Sequence, residues 1–448
     1  MPSHTPLLAP SETELRPRDY FHLSLLWFAL SFHWAALLAI ILPQLVEGFV
    51  PPEVKGAYAA LLFATGALVS TFVQMYVGWR SDHSSHPLGR RRPFIAAGLL
   101  LNLIPLLLLP FVHSFAALLL VFLGIQVFLN IANGPYQALI PDLVPRHRHG
   151  VASAYMGLNT ILGQAGGLAL AGLFTGPRSL LLPALSPQSR LLLVVVAIAA
   201  VLLLTGSLTI WRIGEQPIPP RDRVSFLRSL KLMFDLRLRR HVSFLWLLVS
   251  RFFINMGFYT ATFFLRFYIK DTLHTGARAE FFTFLIMGIA TVAALAGNWP
   301  AGLVADRASK KRVIYVSCAL TGLAALVFLF TDSWRVALGA AVFFGAGYGA
   351  FCAVDWALAC NLLPPGDPAR YMGIWHLAFT LPQAAAPLAV GPAADAINRA
   401  YGLGAGWRLA MFSILIYLVI GVLAIIPIRE KRHLASRDLP PSPRDEDT

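Results

Sequence analysis

Apolar residues run along this chain in long stretches broken by short polar segments rich in arginine and proline. A helix that crosses a bilayer core needs about 20 consecutive, mostly apolar residues. Twelve runs meet that length, at residues 22–42, 57–77, 94–112, 115–138, 151–172, 191–211, 242–268, 280–304, 313–330, 336–358, 371–394 and 408–428. The pattern predicts an all-α membrane protein with twelve transmembrane helices.

Composition narrows the class. Of 448 residues, 57% are hydrophobic and 13% charged, whereas a soluble domain carries roughly 45–50% apolar and about 25% charged residues. So little charge cannot cover a water-facing surface of this size. The net charge of +14 would suggest a polyanion partner in a soluble protein, but its distribution argues otherwise. With the N-terminus inside, 26 of the 36 basic residues fall in the inner segments, which orients both termini to the cytoplasm. Nucleic acid is therefore not expected as a partner. Cys318, Cys352 and Cys360 have neither disulfide nor metal-ligand spacing and read as small packing residues. The polar start, with Arg16 and Arg18 before the first apolar run and no small-residue cleavage site, reads as no removable signal peptide.

The chain also repeats itself. The segment from Pro135 to Pro145 aligns without gaps on that from Val354 to Pro364, and each is followed by Tyr-Met-Gly, at Tyr155 and Tyr371. Gly78 and Asp82 followed by Arg90, Arg91 and Arg92 match Gly302 and Asp306 followed by Lys310, Lys311 and Arg312. Two pseudo-symmetric six-helix bundles are expected. Residues 1–21 form a cytoplasmic tail, 22–212 the first bundle, 213–241 a cytoplasmic linker with an interfacial helix, 242–428 the second bundle and 429–448 a disordered tail.

The doubled Gly-x-x-x-Asp loop followed by basic residues resembles the signature of the major facilitator superfamily. Glycine allows close helix approach, the aspartate can cap or pair at a helix end, and the arginines hold the loop in the cytoplasm. The run from Gly78 to Ile95, with Ser81-Asp82 and then Gly89-Arg90-Arg91-Arg92-Pro93-Phe94-Ile95, is similar to the loop of the sucrose/proton symporters within the glycoside-pentoside-hexuronide cation symporters. Gly134-Pro135-Tyr136-Gln137-Ala138-Leu139-Ile140-Pro141-Asp142-Leu143 looks like that family's fourth-helix motif, and Trp34, Pro43 and Gln44 suit its first helix. The resemblance implies the major facilitator fold and secondary transport of a neutral glycoside such as sucrose or maltose, with a proton as partner ion. It also implies rocking about a midplane site, with the loops at 78–93 and 302–312 latching the outward-open form.

Two positions depart from that pattern. Gln137 stands where the family has arginine, and Gln126 where it carries its proton on an aspartate. Glutamine does not titrate, so proton coupling through that family position is not expected. Charges inside a bilayer are costly and mark function. Arg251 lies roughly 15 Å into the seventh helix, Asp355 near the inner end of the tenth. These two are expected to face each other, Asp355 replacing the missing acid; a fixed structural ion pair is the competing reading. His33, and more weakly His376, could titrate near neutral pH, though a helical histidine also serves as a packing residue.

Candidates for gating are Gly78, Asp82, Gly89, Arg90, Arg91, Arg92, Asp142, Gly302, Asp306 and Arg307, with Asp142 pairing with the triple-arginine loop. A sugar needs hydroxyl partners and an apolar ring platform. Gln126, Asn130, Asn133 and Gln137 share one face of the fourth helix. Trp34, Asn159, Gln164, Asn255, Tyr259, Trp356 and Gln383 are further candidates, with interhelical hydrogen bonding the alternative role.

No cofactor, metal or catalytic residue is expected. A monomer in the plasma membrane, partnered by lipid, substrate and a proton, fits best. A proton-driven exporter of amphipathic compounds and an uncoupled sugar facilitator stay open. A membrane-embedded enzyme is disfavoured: there is no HExxH, no GxSxG and no acidic pair, and His147-Arg148-His149 lacks carboxylate partners.

Overall fold

The computed structural model describes residues 16–145, 148–176, 181–212, 215, 225–228, 241–307, 309–362 and 368–428. Among them there is no strand. Twelve membrane-crossing helices account for the fold: α1 Pro17–Phe49, α2 Lys55–Asp82, α3 Arg92–Phe111, α4 Phe115–Gln137, α5 Val151–Phe174, α6 Pro187–Arg212, α7 Val242–Thr272, α8 Gly276–Ala305, α9 Lys310–Phe330, α10 Trp334–Asp355, α11 Ile374–Tyr401 and α12 Ala405–Ile425.

The first helix starts at Pro17 and continues past residue 42, where the apolar run ends. A π-helical turn over Leu37–Ile41 carries it through Pro43 to Phe49, so Glu47 remains on α1. A second π-helical turn, Tyr268–Thr272, ends α7. Helical geometry in α10 continues to Leu362. Of the expected interfacial helix only residues 225–228 are described; Phe226 packs against Tyr76 and Trp79 of α2, with ring centroids 5.3 and 5.5 Å apart. The remainder of that segment and the C-terminal tail lie outside the described residues.

The packing repeats with the sequence. α1 packs on α5 and α6, α2 on α4, and α3 on α4 and α6; adding six to each number gives the contacts of α7, α8 and α9 with α10, α11 and α12. Two further interfaces join the first six helices to the last six, α2 with α11 and α5 with α8. They also exchange under the same shift. Small residues allow these crossings: a Cβ on Gly163 or Gly167 would strike the backbone of Phe28 or Phe32, and one on Gly345 or Gly349 that of Ala290 or Ala294. Hydrogen bonds fix α1 to α4, where the Tyr136 hydroxyl donates to Leu23 O at 2.8 Å and accepts from Trp27 N–H at 3.1 Å.

The bundle therefore has two ends. One carries Lys55, the C-terminus of α7 and the start of α8; the other carries Asp82 and the basic loop that follows it.

Candidate functional site

At the Lys55 end, buried charges from both sets of helices form one cluster. Lys55 Nζ lies 2.6 Å from Glu47 and 2.7 Å from Asp271. Arg266 reaches Glu47 at 2.9 Å and Glu280 at 2.5 Å, and Lys270 meets Glu47 at 2.8 Å. Lys55 and Glu280 are each 1% exposed and Arg266 2%, so their desolvation must be offset by mutual pairing and neighbouring contacts. Lys55 also lies 4.9 Å from the Phe267 ring centroid, a cation–π contact. Its position between two apolar runs suggests a solvated loop charge; the structure buries it instead.

Asp395 of α11 adds a second device. Its carboxylate accepts the N–H of Gly56 at 2.9 Å and of Ala57 at 2.7 Å, so it caps the free N-terminus of α2 from across the interface. Gly56 and Gly391 meet backbone to backbone there, and a Cβ on either would collide with the other's carbonyl. Sequence reading has no means of finding this cluster. Glu47, Asp271, Glu280 and Asp395 each stand alone in the chain, and only the intramembrane position of Arg266 hints at a partner.

Between the bundles lies a cavity of about 380 Å³. It is walled by α5 from Met156 to Gln164, α7 from Phe258 to Leu265, α8 from Ile286 to Asn298, and α10 from Ala341 to Cys352. Among the described residues not one charged side chain lines it. Phe258 and Tyr348 stack in its wall, ring centroids 3.8 Å apart and nearly parallel. Cys352, expected as a packing residue, is exposed into this space.

Arg251 and Asp355 form a close ion pair, both buried. The guanidinium lies 3.5 Å from the Trp375 ring centroid and 5.5 Å from that of Phe379. Asp355 sits one helical turn beyond Cys352, so the pair adjoins the cavity wall. Asn255 donates to Arg251 O at 2.8 Å, and Tyr259 accepts from Gln383 at 3.0 Å. His376 lies 6.1 Å from Phe379.

Two residues of the amide stripe of α4, Gln126 and Asn130, are brought together, but against α2. Gln74 donates to Asn130 Oδ1 at 2.6 Å, and Asn130 donates to Gln126 O and Oε1 at 2.7 and 3.0 Å. Gln126 and Asn130 are buried, while Asn133 and Gln137 are half-buried. Asn159 is buried and donates to Ser24 at 2.8 Å. His33 is fully buried beside Trp34, ring centroids 4.8 Å apart, with neither nitrogen hydrogen-bonded among the described residues. Of the sequence-derived polar candidates, Gln164 alone lines the cavity described above. The side chains of Trp356, Asp306 and Arg307 lie outside the described residues, and Gly302 faces open space.

At the Asp82 end, Asp142 pairs with Arg90 at 2.5 Å and Arg91 at 3.1 Å, and Arg91 also binds Asp82 at 2.5 Å. The Arg91 side chain is 4% exposed and donates to Ser81 at 2.5 Å. All these groups belong to the first six helices and their loops. Among the described residues they hold the loop to its own bundle, and their ion pairs stay within it. Glu215 accepts from the N–H of Arg91 and Arg92 at 2.9 and 3.0 Å, capping α3. Gly89 makes this possible: its φ is +100°, and a Cβ there would strike Glu215. Gly89→Ala is expected to lower stability by about 1–3 kcal/mol through backbone strain, read as an earlier melting transition in detergent. Gly78→Ala, whose Cβ meets nothing within 4 Å, is the matched control and should melt with the parent. Equal melting of the two variants would contradict the Gly89–Glu215 contact.

The family model for the Major Facilitator Superfamily matches residues 20–387 and 285–445. Among curated proteins, Sucrose transport protein SUC4 of Arabidopsis thaliana is 27% identical over 187 residues, covering 37% of this chain and 36% of that protein. Sucrose transport protein SUT2 of Oryza sativa subsp. indica is 33% identical over 164 residues, covering 30% and 32%. The matched region thus spans about a third of each of these relatives. Among solved structures, a bacterial homolog to human lysosomal transporter Spinster, inward-facing and unoccupied, superposes with TM-score 0.70 at 15% identity, covering 91% of this chain and 96% of the other. A point mutant of nucleoside transporter NupG gives 0.69 at 12%, covering 92% and 100%. The fold agrees across these, and the family model covers most of the chain. This multi-pass membrane protein, a transporter and not an enzyme, belongs to the Major Facilitator Superfamily.

Proposed function

We propose that the protein carries a neutral glycoside, of disaccharide class, across the cytoplasmic membrane by alternating access with proton symport. The observation that carries this reading is the uncharged cavity between the two bundles, floored by a stacked aromatic pair. An ionic substrate would lack a counter-charge there, whereas a sugar ring uses an aromatic wall and hydroxyl partners. The partial identity to sucrose transport proteins supports the same class.

In this reading residues 22–212 and 242–428 rock against each other as units, as a monomer with both termini cytoplasmic. The Lys55 end then faces outward and is shut, and the Asp82 loop holds the inner end of the first bundle. Asp355 takes the proton that Gln126 cannot, with Arg251 as the group that stabilises its charged form. His33, dry and without a hydrogen bond among the described residues, is a second titrating candidate.

Uptake of labelled sucrose or maltose into proteoliposomes tests the proposal. Accumulation above equilibrium under an inward pH gradient, abolished by dissipating the gradient, is the expected result. Equilibration indifferent to the gradient would make the protein a facilitator. The many aliphatic side chains of the cavity, among them Met156, Ile161, Ile286, Met287 and Leu295, favour one second reading, export of amphipathic compounds. Absence of any sugar flux together with efflux of such a compound would select it.

A further inference from the structure

The hydrogen-bonding character of the cavity wall is more specific than its lack of charge. Thr160, Thr262 and Thr291 line it, yet each hydroxyl donates to a carbonyl of its own helix, to Met156 O at 2.8 Å, Phe258 O at 3.0 Å and Met287 O at 2.8 Å. What these residues still offer is lone pairs. Asn298 donates to Gly349 O at 3.2 Å, leaving its side-chain oxygen as an acceptor. Gln164, from the opposite bundle, makes no hydrogen bond among the described residues and is half-buried. The three threonines therefore offer acceptors alone, while the Gln164 amide offers both an oxygen and two N–H groups. A ligand that satisfies the threonines must bring hydrogens on neutral groups, and one face of it must be apolar enough for Phe258 and Tyr348.

We propose that the sugar is bound off-centre between α5, α8 and α10, as a donor of hydroxyl hydrogens to Thr160, Thr262, Thr291 and Asn298. Gln164 is the specificity-determining amide, and the C–H face of one ring lies on the Phe258–Tyr348 pair. This rests on the glycoside-transport reading and locates its site. Gln126 and Asn130 of α4, bonded to each other and through Asn130 to Gln74, are left a structural role. At about 380 Å³ the cavity lies at the small end of the range of ligand sites, roughly 300–1,000 Å³.

Cys352 lines the same cavity, so it reports occupancy without any substitution. The test uses the full chain in proteoliposomes, maleimide as thiol reagent, sucrose and maltose as ligands, and mass spectrometry of the peptide bearing Cys352. Saturating sugar should slow labelling of Cys352 by about fivefold or more. Gln164→Leu should raise the apparent KM about tenfold at unchanged maximal rate, the signature of lost substrate binding. A deoxyfluoro sugar, which replaces a donating O–H by a non-donating C–F of similar size, should bind the parent more weakly. If the parent transports sugar but sugar neither protects Cys352 nor loses affinity in Gln164→Leu, the site lies elsewhere and the transport reading stands. If no sugar is transported and none protects, both fall. Should Gln164→Leu fail to fold, protection in the unaltered chain and the deoxyfluoro comparison still decide.

Discussion

Asp355→Ala is expected to leave a protein that melts well below the parent and accumulates no sugar. Arg251 is 6% exposed, and removing its carboxylate leaves an uncompensated charge stacked on Trp375. Breaking a buried pair in this way typically loses about 3–5 kcal/mol. Two further variants separate stability from coupling. Replacing both members, Arg251→Leu with Asp355→Leu, removes the unpaired charge and should recover most of the melting temperature. It should not recover gradient-driven accumulation. Asp355→Asn keeps the shape of the side chain but cannot carry a proton; it should exchange sugar to equilibrium and no further. Uptake by Asp355→Asn that still accumulates, with the parent's pH dependence, would remove Asp355 from the coupling step and leave it a structural ion.

Arg266→Ala is expected to unlock the Lys55 end. Arg266 neutralises Glu280, 1% exposed, and also Glu47. Its loss places two carboxylates in a dry interface with fewer cations than they need, again a loss of about 3–5 kcal/mol. In a bistable transporter such a loss moves the population toward the conformation that separates them. A reporter cysteine at Thr175, 2% exposed and near the Glu280 side of α5, should then react with a membrane-impermeant maleimide applied from the Lys55 side. A tenfold rise in rate corresponds to about 1.4 kcal/mol of shift, well below that loss. Pairing Arg266→Met with Glu280→Leu restores neutrality and should return labelling toward the parent. A Thr175→Cys reporter that stays unreactive in Arg266→Ala would show that the cluster supports the fold without governing access.

Much of the architecture is readable from the chain because its signals are local. Each span is a continuous run, and the Asp82 loop carries its glycines, acid and arginines within a few residues. The Arg251–Asp355 contact is also legible, because two lone charges of opposite sign inside apolar runs have few other places to go. The site is harder. Helical spacing puts Gln126 and Asn130 on one face of α4, but spacing does not say what that face meets, and α2 supplies Gln74. The same limit hides the cluster of Glu47, Lys55, Arg266 and Asp271. Its two halves are separated by some two hundred positions, and Lys55, in sequence an ordinary loop charge, is buried only because α7 and α12 close over it. Phe258 and Tyr348 are two aromatics among many until packing stacks them.

The cluster at the Lys55 end holds Glu47, Asp271 and Glu280 against Lys55, Arg266 and Lys270, so its charges sum to zero. A charge displaced through the whole membrane field changes energy by about 2.3 kcal/mol per 100 mV. Opposite charges that move together add nothing to that term. In the proposed rocking cycle these six groups therefore add no net charge movement, and a dependence of the transport rate on membrane voltage is expected to come from the carried ion.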